Sequence, residues 1–281
     1  MKKRRSRRIR IIVIGLLLLL IGWIIWTNIN ITTTQLTITN QKIPAEFEGY
    51  KIAQVSDLHN RRWGNKLTDR LRDEQPDIIV ITGDLVDSRH TDFDAAMEFI
   101  DGAKEIAPIY YVTGNHEARL SNYKELAQRL TDAGVHMMDD TAEQIKKGSA
   151  EITLAGLQDP EFVERDPDKG LRESIAATKL GSLLTGDGYH IVLSHRPELI
   201  GGYAEAGADL VFTGHAHGGQ VRIPLVGGLI APNQGFFPEY TEGVYSEGPL
   251  DMVVSRGLGN SVIPVRINNM PELVIVTLAH S

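Results

Sequence analysis

The sequence of 281 residues contains no cysteine. Disulfide bonds and thiolate metal ligands are therefore excluded. If this protein binds a metal ion, the ligands have to be histidine, aspartate, glutamate or asparagine side chains.

Acidic residues are absent before Glu46, where positive charge is concentrated instead. Seven of the 29 basic residues lie between Lys2 and Arg10, which leaves 22 basic and 36 acidic residues, a net charge of −14, for the rest of the chain. A domain with that charge repels the phosphate backbone of nucleic acids. We therefore do not expect DNA or RNA as a partner.

A long apolar run follows the basic cluster. Residues 11–26 (IIVIGLLLLLIGWIIW) carry no charge and end in Trp23 and Trp26, which favour the membrane–water interface. A helix of this length spans about 24 Å, slightly less than a hydrocarbon core of ~30 Å, and uncharged residues after Trp26 can extend it. We interpret residues 11–30 as a transmembrane anchor, residues 1–10 as a basic cytoplasmic tail and residues 31–281 as an extracytoplasmic catalytic domain.

A cleaved signal peptide is the alternative interpretation of this segment. The stretch SRRIRI (residues 6–11) resembles a twin-arginine export signal, although Arg10 stands where that pattern prefers phenylalanine. No small-x-small cleavage site follows Trp26, which favours a retained anchor.

From residue 50 onward, short apolar stretches alternate with amphipathic ones. This pattern predicts an α/β domain with parallel strands, whose ligands collect at the carboxyl ends of the strands. One helix is predicted over residues 91–104 with Thr91 as its N-cap. Few helices are predicted between the later strands, so we expect more antiparallel pairing in the second half.

Side chains that can bind metal follow five of the predicted strands. A single aspartate or histidine after a strand is usually part of a turn, but five such positions at one sheet edge favour a common site. Five of the nine histidines lie there; His90, His136, His190 and His280 are interpreted as structural. The candidate residues are Asp57 and His59, Asp84, Asn115 and His116, His195, and His215 and His217.

The spacing of these residues indicates two metal ions. Residues i and i+2 of an extended chain point the same way, so Asp57 with His59, and His215 with His217, can converge on a site. Asp84 is the carboxylate best placed to bridge two ions, and the neighbouring glycines allow a close approach of the backbone.

The motifs, taken together and in order, resemble the calcineurin-like metallophosphoesterase superfamily. They span residues 50–217 and read Asp57-x-His59, Gly83-Asp84-x-x-Asp87, Gly114-Asn115-His116-Glu117, His195 and Gly214-His215-x-His217. The tail SRGLGNSVIPVRINNMPELVIVTL is similar to a membrane-anchored bacterial branch described as phosphodiesterases or UDP-2,3-diacylglucosamine pyrophosphatases. The resemblance implies two packed mixed β-sheets flanked by helices, a four-layer α/β sandwich, after the N-terminal transmembrane helix.

The resemblance also implies a role for each matched residue. Asp87 and Glu117 are expected to support the site rather than to bind metal. His116 is expected to act as a general acid, or as an electrostatic stabiliser, beside the leaving-group oxygen. One ion is expected at Asp57, His59, Asp84 and His217, and the other at Asp84, Asn115, His195 and His215.

The chain also differs from some relatives of this superfamily. Purple acid phosphatases have glycine in place of His59 and tyrosine in place of Asp87, so their chemistry is not expected here. The stretch NRRWGN follows His59, where many relatives have a glycine. Arg61 or Arg62 could bind a substrate phosphate as a bidentate donor, or form a solvated surface pair.

The implied function is hydrolysis of phosphodiester or pyrophosphate bonds with two divalent transition-metal ions. The donor set fits Mn, Fe, Zn, Co or Ni. Two ions ~3.5–4 Å apart lower the pKa of a bridging water toward ~7, and the hydroxide is expected to attack phosphorus in line. A tether of under ten residues after Trp26 favours a substrate of the membrane or envelope. The alternatives are a non-catalytic, metal-stabilised envelope-binding protein and a phosphomonoesterase or nuclease of the same superfamily.

Overall fold

The computed structural model describes residues 2–163, 169–260 and 264–281. Residue 1 of the basic tail and residues 261–263 of the C-terminal segment that carries the resemblance lie outside the described residues.

The first half of the chain alternates strands with helices, as predicted. α3 begins later than expected, because the side chain of Asp92, not Thr91, accepts a hydrogen bond from the N–H of Ala95. The elements are α1 (Lys2–Ile29), β1 (Thr32–Asn40), β2 (Lys51–Val55), α2 (Asn65–Glu74), β3 (Ile78–Thr82), α3 (Phe93–Ala103), β4 (Ile109–Val112), α4 (Asn115–Ala118), α5 (Tyr123–Asp132) and β5 (His136–Met137).

The second half contains two longer helices, several strands and two small hairpins. The elements are β6 (Thr141–Lys147), β7 (Ala150–Gly156), α6 (Lys169–Leu183), β8 (His190–Leu193), α7 (Ile200–Glu205), β9 (Leu210–Thr213), β10 (Arg222–Ile223), β11 (Gly227–Gly228), β12 (Ile230–Ala231), β13 (Gly235–Phe236), β14 (Gly243–Glu247), β15 (Leu250–Val254) and β16 (Glu272–His280).

Two mixed six-stranded sheets form the body of the protein. The first has the order β1-β16-β2-β3-β4-β5, in which β16 and β2 are antiparallel and the other pairs parallel. The second has the order β14-β15-β9-β8-β7-β6, and its edge pairs are antiparallel. Its three central pairs are parallel, and α6 and α7 are the crossover connections between β7, β8 and β9. The antiparallel pairs that the structure describes all include a strand of the second half, as expected.

Three apolar clusters divide the fold into four layers. Between the sheets, Val80 and Val276 of the first sheet pack with Leu154 and Phe212 of the second. Helices α2, α3 and α5 cover the outer face of the first sheet, and α6 and α7 cover that of the second. Full burial of such side chains stabilises a fold by roughly 1.5–3 kcal/mol each. The predicted four-layer α/β sandwich is therefore confirmed.

The packing of the sheets brings the carboxyl ends of their central strands together. The backbone N–H of Asp57, after β2, donates to the carbonyl of Gly83, after β3. The N–H of His215, after β9 of the second sheet, donates to the carboxylate of Asp57 at 3.1 and 3.2 Å. The two sheets thus meet at one common edge, where the predicted site residues lie.

Among the described residues, one helix is long and apolar enough to cross a membrane. This stretch of α1 runs from Ser6 to Ile29, 24 residues, and none of the side chains in its most apolar window of 18 residues is buried against the domain. Length and composition are what support this assignment.

Candidate metal centre

The predicted ligands gather into two groups. In the first, the Nε2 atoms of His59 and His217 are 3.1 Å apart, and Nε2 of His217 is 3.3 Å from Oδ1 of Asp57. Nε2 of His59 also lies 3.5 Å from Oδ2 of Asp84. All four residues offer a ligand atom within 4.8 Å of one another, the separation expected around a single cation.

The second group lies on the other side of Asp84. Nε2 of His195 is 3.4 Å from Oδ2 of Asp84 and 3.1 Å from Nδ1 of His215. Asn115 stands beside this group, since the next residue, His116, donates its N–H to Oδ1 of Asp84. Oδ1 of Asn115 is buried and has no hydrogen-bond partner among the described residues. This is the condition expected of an oxygen whose partner is a metal ion.

The backbone is left-handed at several of these residues. Non-glycine side chains rarely adopt positive φ, and such conformations concentrate at functional sites. This backbone conformation changes the direction of the side chains: His215 and His217 are only two residues apart, yet their side chains point into different ligand groups. The residues with positive φ are Asp57 (50°), His59 (45°), Asp84 (52°), His215 (67°) and His217 (48°).

Glycines allow the strand ends to approach one another. A Cβ on Gly214 would overlap Oγ of Ser56 and approach the carboxylate of Asp57. A Cβ on Gly83, whose φ is 84°, would lie 2.7 Å from the backbone of Gly114 and from Nδ1 of His195. The two glycines therefore set the distance between the ligand loops.

Hydrogen bonds on the far side of two histidines orient their rings. Nδ1 of His195 donates to the carbonyl of Thr82 at 2.7 Å, so Nε2 faces Asp84 and is the atom that would bind a metal ion once deprotonated. Nδ1 of His215 faces His195, and with Nδ1 as the metal-binding atom the proton is on Nε2, which donates to Oδ1 of Asn233 at 2.9 Å. Metal-binding histidines are commonly fixed by a second hydrogen bond of this kind.

The electrostatics of the groups suit neutral imidazoles beside carboxylates. Burial lowers the pKa of His59 to about 3, and it holds those of His215 and His217 well below the usual range. His195 differs: burial lowers its pKa, but the carboxylate of Asp84 outweighs burial and raises the pKa to about 10. The carboxylate of Asp84 therefore favours a positive charge at His195, and a metal ion bound between them would displace the proton of His195.

His116 lies at the edge of the first group. The backbone N–H of Ser88 donates to Nδ1 of His116 at 3.0 Å, so the proton of the neutral ring is on Nε2. Nε2 in turn lies 4.0 Å from Oδ2 of Asp84. His116 thus directs an N–H toward the space between the ligand groups, which suits a hydrogen-bond donor to a developing oxyanion.

Glu117 joins the loops that follow β3 and β4. Its carboxylate is fully buried and accepts the N–H groups of Asp84 and Gly114, each at 2.8 Å, and that of Val86 at 3.2 Å. Burial and the charge of Asp84 raise the pKa of Glu117 to about 8. As expected for a supporting residue, Glu117 holds the backbone of the metal loops.

Sequence reasoning missed a network behind His215. Arg196 is fully buried and forms a bidentate ion pair with Asp159 at 2.6 and 2.9 Å. Its Nη1 also donates to Oδ1 of Asn233 at 2.9 Å. Asn233 therefore accepts from both Arg196 and His215, and the pair holds the ring of His215 in place.

We expect Asn233→Ala to weaken metal binding at the second group selectively, because the Nε2–H of His215 would lose its hydrogen-bond acceptor. The affinity for the ion at this group should fall about 10–100-fold, the usual effect of removing such a partner. Calorimetric titration of metal-free protein with Mn²⁺ measures both sites.

Asn122→Ala is the matched control, since this exposed asparagine lies outside the site, at the start of α5. An equal loss of affinity for both ions, or unchanged affinity, would show that Asn233 does not position His215.

Arg61 and Arg62 have different surroundings. Arg62 forms exposed ion pairs with Asp92 and Glu98, which matches the solvated-pair alternative. Arg61 stacks over the ring of Trp63 at 4.7 Å and donates to the carbonyl of Asn28 in α1 at 2.9 Å.

Comparison with known proteins adds to this geometry. A family model described as calcineurin-like phosphoesterase matches residues 50–219, which include every proposed ligand. The uncharacterized metallophosphoesterase YkuE of Bacillus subtilis is 30% identical over 88% of this chain and 85% of its own length. The phosphodiesterase YaeI of Escherichia coli is 26% identical over 82% of both chains.

A vertebrate relative shares part of its length with this chain. It is named a transmembrane protein with metallophosphoesterase domain, from Danio rerio. Its identity is 27%, over 85% of this chain and 55% of the relative.

Proposed function

We propose a function for this chain from its family: it belongs to the calcineurin-like phosphoesterases, whose members are metal-dependent phosphoester hydrolases. In this proposal the chain cleaves phosphodiester or pyrophosphate bonds at a two-metal centre. The substrate is an amphiphile associated with the membrane or the envelope. The observation that carries the two-metal centre is the position of Asp84. Its Oδ2 lies 3.5 Å from His59 of one group and 3.4 Å from His195 of the other. One carboxylate oxygen therefore serves both groups, as a bridging ligand must.

The donor chemistry of both groups fits divalent transition metals. Buried imidazole nitrogens and carboxylate or amide oxygens, without thiolates, suit Mn, Fe, Zn, Co or Ni. Two such ions would offset the charge of the phosphoryl oxygens and supply a water-derived nucleophile at neutral pH. We assign the first ion to Asp57, His59, Asp84 and His217, and the second to Asp84, Asn115, His195 and His215.

His116 acts on the leaving group in this proposal. Ser88 donates to Nδ1 of His116, and the N–H at Nε2 donates a hydrogen bond to the departing oxygen and stabilises its negative charge. Glu117 keeps the backbone at Asp84 and Gly114 fixed, so that the ligands need little rearrangement.

A membrane location is supported by the apolar helix and by its short connection to the domain. We propose residues 1–10 as a cytoplasmic tail, residues 11–30 as the anchor and residues 31–281 as the extracytoplasmic catalytic domain. Two residues separate the end of α1 at Ile29 from the start of β1 at Thr32, so the domain lies close to the bilayer. The Danio rerio relative is likewise named a transmembrane protein. An amphiphilic substrate would be concentrated in that layer.

The substrate class is tested by comparing kcat/KM for four compounds. They are an aryl phosphodiester, an aryl phosphomonoester, single-stranded DNA and a lipid-linked pyrophosphate in vesicles. We expect the lipid-linked compound to be cleaved best and the aryl diester to serve as a surrogate, since the acidic domain disfavours polyanions. A preference for DNA or for the monoester of more than about tenfold, more than 1.4 kcal/mol in transition-state free energy, would contradict the proposed substrate class but not the metal centre.

A further inference from the structure

The last turn of α1 is hydrogen-bonded to the catalytic domain. Nδ2 of Asn28 donates to the carbonyl of Arg266 at 2.8 Å, and the N–H of Arg266 donates to Oδ1 of Asn28 at 2.9 Å. Arg61 donates to the carbonyl of Asn28, and Lys66 donates to that of Ile29 at 3.3 Å. The domain is thus fixed at the helix end rather than loosely tethered to it.

Arg266 continues from this contact to the metal centre. Its side chain is fully buried and donates to the carbonyls of Gly259 and Arg256. Nη2 of Arg266 lies 3.3 Å from Nδ1 of His217, a ligand of the first group. One arginine side chain therefore separates the end of the apolar helix from the proposed metal ligands.

Exposed apolar side chains continue outward from the same loop. Val265 and Ile267 flank Arg266, and the carbonyl of Ile267 accepts the N–H of Arg222 in the hairpin β10–β11. At the tip of that hairpin, Leu225 is fully exposed and Val226 largely so.

The hairpin β12–β13 extends this surface. Phe236 and Phe237 are 71% and 64% exposed, and the N–H of Phe237 donates to the carbonyl of Leu229, next to β11. Single exposed apolar residues are common, but adjacent pairs on neighbouring loops mark an interaction surface. We call these six residues the apolar rim: Leu225, Val226, Phe236, Phe237, Val265 and Ile267.

The tryptophans of α1 indicate the depth of this region. Trp23 and Trp26, whose side chains suit the membrane–water interface, line a surface cavity together with Asn268 and Met270. The loop that carries Val265 and Ile267 leads directly into these two residues. The apolar rim is therefore connected to the part of α1 that would lie at the membrane–water interface.

We propose that the apolar rim is a second membrane contact, which inserts into the headgroup–acyl boundary of the leaflet from which α1 emerges. Apolar side chains at loop tips bind a bilayer in this interfacial manner. The occupant is the lipid bilayer itself, and the contact fixes the metal centre beside the lipid surface. This inference rests on the membrane anchor of the proposed function and gives that anchor an orientation.

The cysteine-free chain allows a direct test with single labels. Leu225→Cys and Phe237→Cys, each in the full chain, are labelled with nitrobenzoxadiazole and reconstituted into phosphatidylcholine–phosphatidylglycerol vesicles. Asp187→Cys is the matched control, an exposed site that precedes β8 and so lies at the end of the strand away from His195. A nitroxide lipid should quench the two rim labels by about twofold or more and leave the Asp187 label unchanged, because the labelled rim sites reach the acyl boundary and Asp187 does not.

Each other outcome has a definite meaning. If the protein floats with the vesicles but the rim labels stay accessible to aqueous iodide, the inference is wrong and the anchor stands. Labels shielded from iodide but not quenched by the nitroxide lipid would indicate a protein partner and overturn the bilayer as occupant. Protein that fails to float overturns both the anchor and the rim contact. Quenching without hydrolysis of an aryl diester would contradict the proposed activity while the membrane contact stands.

Discussion

Asp84→Asn should remove both metal ions and lower kcat/KM by more than ~10³-fold, since even one lost stabilising group commonly costs 10²–10³. The reason is that Oδ2 of Asp84 lies within 3.5 Å of histidines in both ligand groups. An amide replaces one of the two carboxylate oxygens with an NH₂ donor and removes the negative charge that offsets two cations. Elemental analysis should give about two equivalents of metal for the native protein and close to none for the variant.

Asp94→Asn provides the matched control for this change. It removes the same charge from an exposed residue of α3, whose side chain pairs with Arg129. Its metal content and activity should equal those of the native protein. A variant of Asp84 that retains one tightly bound ion, or a native protein fully active after exhaustive chelation, would contradict the shared-ligand centre.

His116→Ala should keep both metal ions but lower kcat by ~10²–10³-fold, the usual effect of removing a hydrogen-bond donor that stabilises a developing oxyanion. Nε2 of His116 carries the proton because Ser88 donates to Nδ1. A substrate with a very acidic leaving group should lose less, because its departing oxygen carries a charge that needs less stabilisation.

Metal analysis decides between a hydrogen-bond donor and a metal ligand at this position. His59, Asp87 and His116 also offer ligand atoms within 4.8 Å of one another, so a loss of metal from His116→Ala would make it a ligand. His136→Ala is the control, a histidine on β5 paired with Glu143 outside the centre. It should change neither metal content nor kcat.

The strand ends were predictable because a polar residue directly after a buried strand has a fixed place in a parallel sheet. The prediction that residues i and i+2 point the same way was wrong, although the residues that it selected lie at the site. His215 and His217 were expected to point the same way along extended chain, but both have positive φ and turn toward different groups. Backbone conformation of this kind is set by packing between loops, which local patterns do not record.

The missed residues act through contacts that are distant in sequence. Asn233 meets His215 and Arg196 across a small hairpin, and Arg266 meets His217 and Asn28 from the other side. A turn-like asparagine and a single arginine between exposed apolar residues give no local signal of burial. The burial of Arg266 is visible only once the loops around it are assembled.

The helices of the second half were missed for a related reason. The face of α6 that packs on the second sheet includes Ala176, Ala177 and Leu180. Small side chains on the buried face give weak contrast with the exposed face, so the helical period is faint. Without these helices, the parallel pairing of β7, β8 and β9 could not be derived.

The pairing of β1 with β16 constrains how the chain acquires its structure. β1 begins just after the apolar helix, and its register runs from Thr32 opposite Glu272 to Asn40 opposite His280. β16 lies between β1 and β2, so the strand next to the anchor has its neighbour only when residues 272–280 have been synthesised. Closing a loop of this length is entropically costly and slow. Loss of β16 would therefore disconnect β1 from the rest of the first sheet, and a pull on the helix would load the β1–β16 hydrogen bonds in shear.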